Sequence, residues 1–75
     1  MLKPKYHALL RGTSEGDEIV HFSSEQHREV ASRIAKEFGF EFITLNSAPM
    51  RMSTFYEYPH EFRVWCCKER HSVLE

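Results

Sequence analysis

Phe62-Arg63-Val64-Trp65-Cys66-Cys67, near the C-terminus, alternates in a way that shapes the whole reading of the chain. In a half-buried strand successive side chains point to opposite faces, so apolar and polar residues should alternate. Phe62, Val64 and Cys66 form one wholly apolar phase, while the other sets Trp65 between Arg63 and Cys67. The pattern predicts a final strand over residues 61–68 with Phe62, Val64 and Cys66 turned to the core. It also predicts an aromatic surface beyond what that core needs. Residues 54–68 hold five of the ten aromatics, the single tryptophan and both cysteines, which concentrates the interest there.

Working back from this segment, the rest of the chain falls into short elements. Residues 5–11 read as a strand, with Tyr6, Ala8 and Leu10 in one phase and His7, Leu9 and Arg11 in the other. Gly12-Thr13-Ser14-Glu15-Gly16-Asp17 is a turn cluster, and residues 18–22 return as a second strand, making a hairpin. Ser23 stands as an N-cap with Gln26 three residues later, and Glu25 lies in the first turn, where the helix dipole favours an acid. The helix is predicted over 24–38 and closed by Gly39. Val30, Ala31, Ile34, Ala35 and Phe38 fall within an arc of about 140°, with His27 in its middle. Residues 40–45 form a third strand. A long connection with Pro49 and Pro59 then leads to the final one, with an extended piece around 54–58.

The order predicted is β-β-α-β-β: an α+β, two-layer fold with one helix packed on a mainly antiparallel four-stranded sheet. Seventy-five residues make one small domain, with an ordered core over about 5–68. A chain of this size buries only about 60% of the surface it exposes when unfolded, so its core is a single layer contact. Leu74-Glu75 reads as a cloning scar and carries no functional weight.

Ten basic against eleven acidic residues leave a net charge of −1, so no global field draws in nucleic acid or an anionic membrane. No apolar run approaches the roughly 20 residues of a membrane span, and the N-terminal residues lack the apolar stretch of a secretory leader. Adjacent Cys66 and Cys67 point apart in a strand and stay free thiols, so a cytoplasmic protein is expected.

No catalytic constellation is present: nothing orients a His60 pair with Cys66 or Cys67, and no oxyanion site is evident. His7, His21, His27, His60, His71 and the two cysteines lack zinc-finger spacing, so neither a metal nor another cofactor is expected. The expected function is therefore non-enzymatic binding of a protein partner. The surface for it is the loop carrying Arg51, Phe55, Tyr56 and Tyr58, together with Arg63 and Trp65 on the open sheet face. The connection is long for a compact domain, and its methionines and tyrosines suit adaptable and rigid contact respectively. A homodimer is a further way to cover the open face.

A second function class uses a different set. Lys3, Lys5, Tyr6, Arg11, Arg63, Trp65 and Lys68 would form an aromatic and basic platform for single-stranded nucleic acid if the first and last strands are neighbours.

Two resemblances accompany these readings. Residues 28–40, REVASRIAKEFGF, resemble the helix of the nucleic-acid-binding domain named for its Arg-x3-His motif. Arg28 stands at the arginine, but Ser32 occupies the histidine position, and the family is not assigned. The layout of hairpin, Ser-capped helix and aromatic strands is similar to that of many very small phage and mobile-element proteins. That resemblance implies a regulator or inhibitor that occludes a host protein complex.

Overall fold

Gly12 and Gly16 bracket the hairpin because the chain there needs positive φ, +96° and +95°, which only glycine adopts without cost. The computed structural model describes residues 6–47 and 49–74; Lys3, Lys5 and Glu75 lie outside the described residues. Strands β1 (Tyr6–Thr13) and β2 (Gly16–Phe22) pair antiparallel, with a register shift between Leu10 and Thr13 where the chain bends into the turn.

Helix α1 (Glu25–Glu37) follows within two residues. Its N-cap is Ser24, whose Oγ accepts from the His27 amide at 3.1 Å, so the expected Ser23–Gln26 box is displaced by one residue. Ser23 donates instead to the Glu57 carbonyl at 3.3 Å and lies 3.0 Å from His27 Nδ1. Ala31, Ile34 and Ala35 are buried as the helical period requires, while Val30, at the rim of the arc, is 41% exposed. Gly39 ends the helix at φ +82°, as its left-handed C-cap role demands.

Strand β3 (Glu41–Thr44) pairs antiparallel with β1, and β4 (Thr54–Tyr56) pairs parallel with β2. The sheet is therefore mixed, ordered β3-β1-β2-β4, with β1 and β2 central. The extended piece expected around 54–58 is this short strand.

The final element departs from expectation. Residues 61–68 belong to helix α2 (Pro59–Leu74), which makes the order β-β-α-β-β-α with two helices rather than one. Local chemistry starts this helix well. Proline suits the first helical turn because its missing N–H would have no intrahelical partner there. Glu61 Oε1 accepts from the amides of Glu57 and Tyr58 at 3.1 and 3.4 Å, near the positive end of the helix dipole.

Tertiary burial then decides. Phe62 and Cys66, one turn apart, are both 0% exposed, whereas Val64, two residues from each, is 50% exposed. The apolar alternation over 62–66 is overridden because α1 sits against β3, β1 and β2 and leaves the β4 side of the sheet for a second helix, packed beside α1, to cover. Full burial of a phenylalanine contributes roughly 1.5–3 kcal/mol, more than the modest strand preferences of these residues.

The core lies between the sheet and both helices. Ala8, Leu10, Val20 and Phe22 face α1 and α2, and Phe62 meets Phe22 and Phe42 edge-on at 5.8 and 6.2 Å. Arg28 Nη1 donates to the carbonyls of His7 and Leu45, both at 3.2 Å, tying α1 to the end of β3. At the far end, Ser14 donates from its amide and hydroxyl to Glu69 Oε1 at 2.7 and 2.6 Å, tying the hairpin tip to α2.

Candidate functional site

Alternation along the central strands sends His7, Leu9, Ile19 and His21 to the face away from the helices, opposite the core set. Its centre is closed: His7 is 4% and Ile19 is 6% exposed. The His7 and His21 rings lie 4.9 Å apart, Phe55 stacks on His21 at 5.0 Å, and Ser53 Oγ sits 2.7 Å from His21 Nδ1. What this face leaves open is at its two edges, Ile43 on β3 at 36% and Phe55 on β4 at 50%.

The β4 edge is the more developed of the two. Leading into it, Met50 and Met52 are 103% and 96% exposed, on either side of an exposed Arg51. Beyond β4, Tyr58 is 48% exposed, with its ring 6.0 Å from His27 and 5.9 Å from His60. Beside the loop a shallow cleft of about 240 Å³ is lined by Asp17, Glu18 and Ile19 of β2 and by residues 51–54. That volume is below the range of most small-molecule sites, so the cleft is better described as a notch in a surface than as an active-site pocket. Among the described residues no strand pairs with the outer side of β4, so its backbone groups there are unpartnered by the sheet.

The residues singled out by sequence do not all arrive together. Arg51, Phe55 and Tyr58 lie along this strip. Tyr56, between the last two, turns inward: it meets Phe22 at 6.0 Å and Phe62 at 5.4 Å, and burial pushes its phenol up to about 12. Arg63 and Trp65 are not on the open sheet face, because both belong to α2 on the opposite side. Arg63 donates to Glu37 Oε1 at 3.3 Å and lies over the Phe38 ring at 5.5 Å, bridging the helices. Trp65 is half-buried between Phe62 and Phe40, at 6.0 and 5.9 Å, and extends the core. Val64, expected in the core, is on the helix surface.

The same change of element dissolves the basic platform on the sheet. Arg63, Trp65 and Lys68 ride on α2, Tyr6 lies under the Arg28 guanidinium at 5.6 Å, and Arg11 pairs with Asp17 at 3.7 Å. The first strand is flanked by β2 and β3, so the final element is not its neighbour in the sheet.

Two further groups matter. Cys67 is exposed, while Cys66 is buried and its thiol is pushed up to about 12 by that burial, so the two adjacent sulfurs differ in reactivity. The Ser53–His21 contact joins residues 32 apart and left no mark in the sequence. Among the described residues no three His, Cys, Asp or Glu side chains converge as a metal site, and no helix is long and apolar enough to cross a membrane. No protein-family model matches the chain, and no curated protein or solved structure matches it either.

Proposed function

We propose that this is a non-enzymatic protein-binding module whose contact surface is the β4 edge, from Met50 to Tyr58. The observation that carries the reading is the pair of fully exposed methionines, Met50 and Met52, beside a half-exposed Phe55 on a strand with a free edge. Exposed apolar groups brought together in this way mark interaction surfaces. Each methionine or phenylalanine buried in a complex contributes roughly 1.5–3 kcal/mol, and methionine adapts its shape to the partner. Arg51 adds a charged, hydrogen-bonding anchor of the type that often dominates interface energy.

A partner docked here would be held by strand addition along β4 and by side-chain packing in the notch beside β2. Regulation or inhibition then follows from occlusion: a standard interface hides about 800 Å² per partner, a large share of so small a surface, and no chemistry is required. The similarity of layout to small phage and mobile-element proteins makes a host protein complex the expected target.

Capture from a host lysate tests this, comparing wild type with a Met50→Asp/Met52→Asp variant that leaves the core untouched. Specific partners retained by wild type and lost by the variant are expected. Equal recovery by both proteins would remove the β4 edge from the binding site. A Phe55→Ala variant should show the same loss in weaker form, and Arg63→Ala should bind normally if its fold is intact.

A further inference from the structure

Resting on the reading of the β4 edge as a binding surface, we infer that one occupant of that edge is a second copy of this chain. The two copies pair antiparallel through β4 about a two-fold axis at Phe55. The sheet then runs continuously through eight strands, β3-β1-β2-β4 meeting the same order reversed.

Symmetry restricts how this can happen. A two-fold axis perpendicular to the sheet keeps the helices of both copies on one side, so only residues of the same face can stand opposite each other. Centred on the middle residue of β4, Phe55 meets Phe55 of the second copy on the open face. Thr54 meets Tyr56 on the helix face. Just beyond the strand Ser53 and Glu57 of the second copy come side by side through their side chains, since the Glu57 amide and carbonyl already bond Glu61 and Ser23.

Charge then argues for this occupant over an arbitrary strand. The edge is polar along its length in the other sense of the word: Arg51 lies before β4 and Glu57 after it, both exposed. Antiparallel pairing sets the basic end of each copy against the acidic end of the other, with Arg51 diagonal to Glu57 of the second copy and within reach of it. A parallel arrangement would align like with like.

The helix layer repeats the complementarity. α1 lies against β3, β1 and β2, and α2 lies beside α1 and against β4, which sets the flank of α2 turned away from α1 toward this edge. Arg63 marks the opposite flank, where it reaches Glu37 of α1. On the overhanging flank Glu61, Val64 and Lys68 recur at helical spacing and all are exposed, Val64 by 50%. An antiparallel pair of α2 helices brings Glu61 beside Lys68 of the second copy and the two Val64 side chains toward each other. Both layers thus prefer the same two-fold arrangement, and the exposed Met52 and Phe55 become covered. Self-pairing also regulates the proposed function, because a partner must displace one copy to reach the strip.

Sedimentation velocity across protomer concentration tests this with Arg51→Glu and Glu57→Arg, whose folds are checked by circular dichroism. Wild type should associate to a dimer. Each variant alone places like charges together twice per dimer and should associate about tenfold more weakly, or worse. An equimolar mixture of the two variants restores both attractive pairs, so a heterodimer should form again. Lys68→Glu should weaken the dimer independently. A wild-type monomer at every concentration overturns the proposal, as does a dimer indifferent to both reversals. A monomer that still loses captured partners on Met50→Asp/Met52→Asp would leave the strip as a binding surface and sink only the second copy. If neither association nor capture responds to any substitution on the strip, both readings fail.

Discussion

Replacing Phe62 and Val64 separately tests the assignment of the last element most directly. In a strand the two side chains share a face and both would matter; in helix α2 they point apart. Phe62 is fully buried, with four rings around it at 5.4–6.2 Å: Tyr56, Phe22, Trp65 and Phe42. Truncating such a residue to alanine removes its transfer energy and leaves a cavity, a cost of about 3–5 kcal/mol. Val64→Ala on an exposed helical surface should change stability by no more than about 0.5 kcal/mol.

The whole domain is expected to be worth about 4–11 kcal/mol, from the usual range per residue, so Phe62→Ala removes a large fraction. With a urea slope near ~1 kcal/mol per molar for so small a chain, its midpoint should fall by about 3 M or more, while that of Val64→Ala barely moves. The assay is urea unfolding followed by far-ultraviolet circular dichroism and by Trp65 fluorescence. Should Phe62→Ala leave no folded baseline, Phe62→Leu, costing about 1–2 kcal/mol, keeps the comparison measurable. Comparable losses at positions 62 and 64 would refute the helix and restore the strand.

Three other outcomes follow from the geometry. The Ser14 hydroxyl and amide hold the Glu69 carboxyl below its ordinary value, so this contact stabilises the fold above the usual carboxylate range. Its contribution is lost as pH falls through the lowered value; Ser14→Ala should raise the Glu69 titration midpoint seen by NMR and bring acid unfolding to higher pH. Burial raises Tyr56 from 10.0 and Cys66 from 9.0 to about 12 in each case, so both favour the fold below their ordinary values. That stability should be lost as pH rises toward 12, and alkylation of the native protein at neutral pH should mark Cys67 and spare Cys66, as mass spectrometry would read. Gly39→Ala meets both a φ of +82° and the Arg70 guanidinium, 2.8 Å from the added carbon. A loss of about 1–2 kcal/mol is expected from the backbone alone, and Arg70→Ala should relieve only the steric part in thermal melts.

The first three strands and α1 could be read because their signals are local. Glycines at 12 and 16 fix a turn, serine at 23–24 and Gly39 bound a helix, with the cap one residue later than the Ser23 expected, and Ala31, Ile34 and Ala35 keep its period. The final helix was obscured by composition. Phe62, Val64 and Trp65 are residue types that favour strands, and their alternation was an accident of placing Val64 on the surface. Better signals were present: Pro59 at a helix start, Glu61 two residues later to accept from free amides, and no glycine or proline after residue 59. Arg63 and Trp65 go with that element to the other side of the sheet, since a site residue inherits its face from its element. The loop fared better, because Arg51, Phe55 and Tyr58 reach the surface through length and composition, whatever element follows. Tyr56 required the parallel register with β2 to turn inward, and register between strands over thirty residues apart is a tertiary property.

The Ser14–Glu69 tie spans 55 residues, and the core likewise closes only when Phe62 and Cys66 arrive. On the ribosome, the first strands and α1 therefore emerge with half of their apolar face still wet. Phe22 and Tyr56 must wait for the last helix to clear the exit tunnel before water leaves them. Folding is expected to wait for α2, in one step and at a rate set by bringing distant segments together. A transcript broken anywhere before residue 66 would yield no smaller working version, only a chain ready for proteolysis.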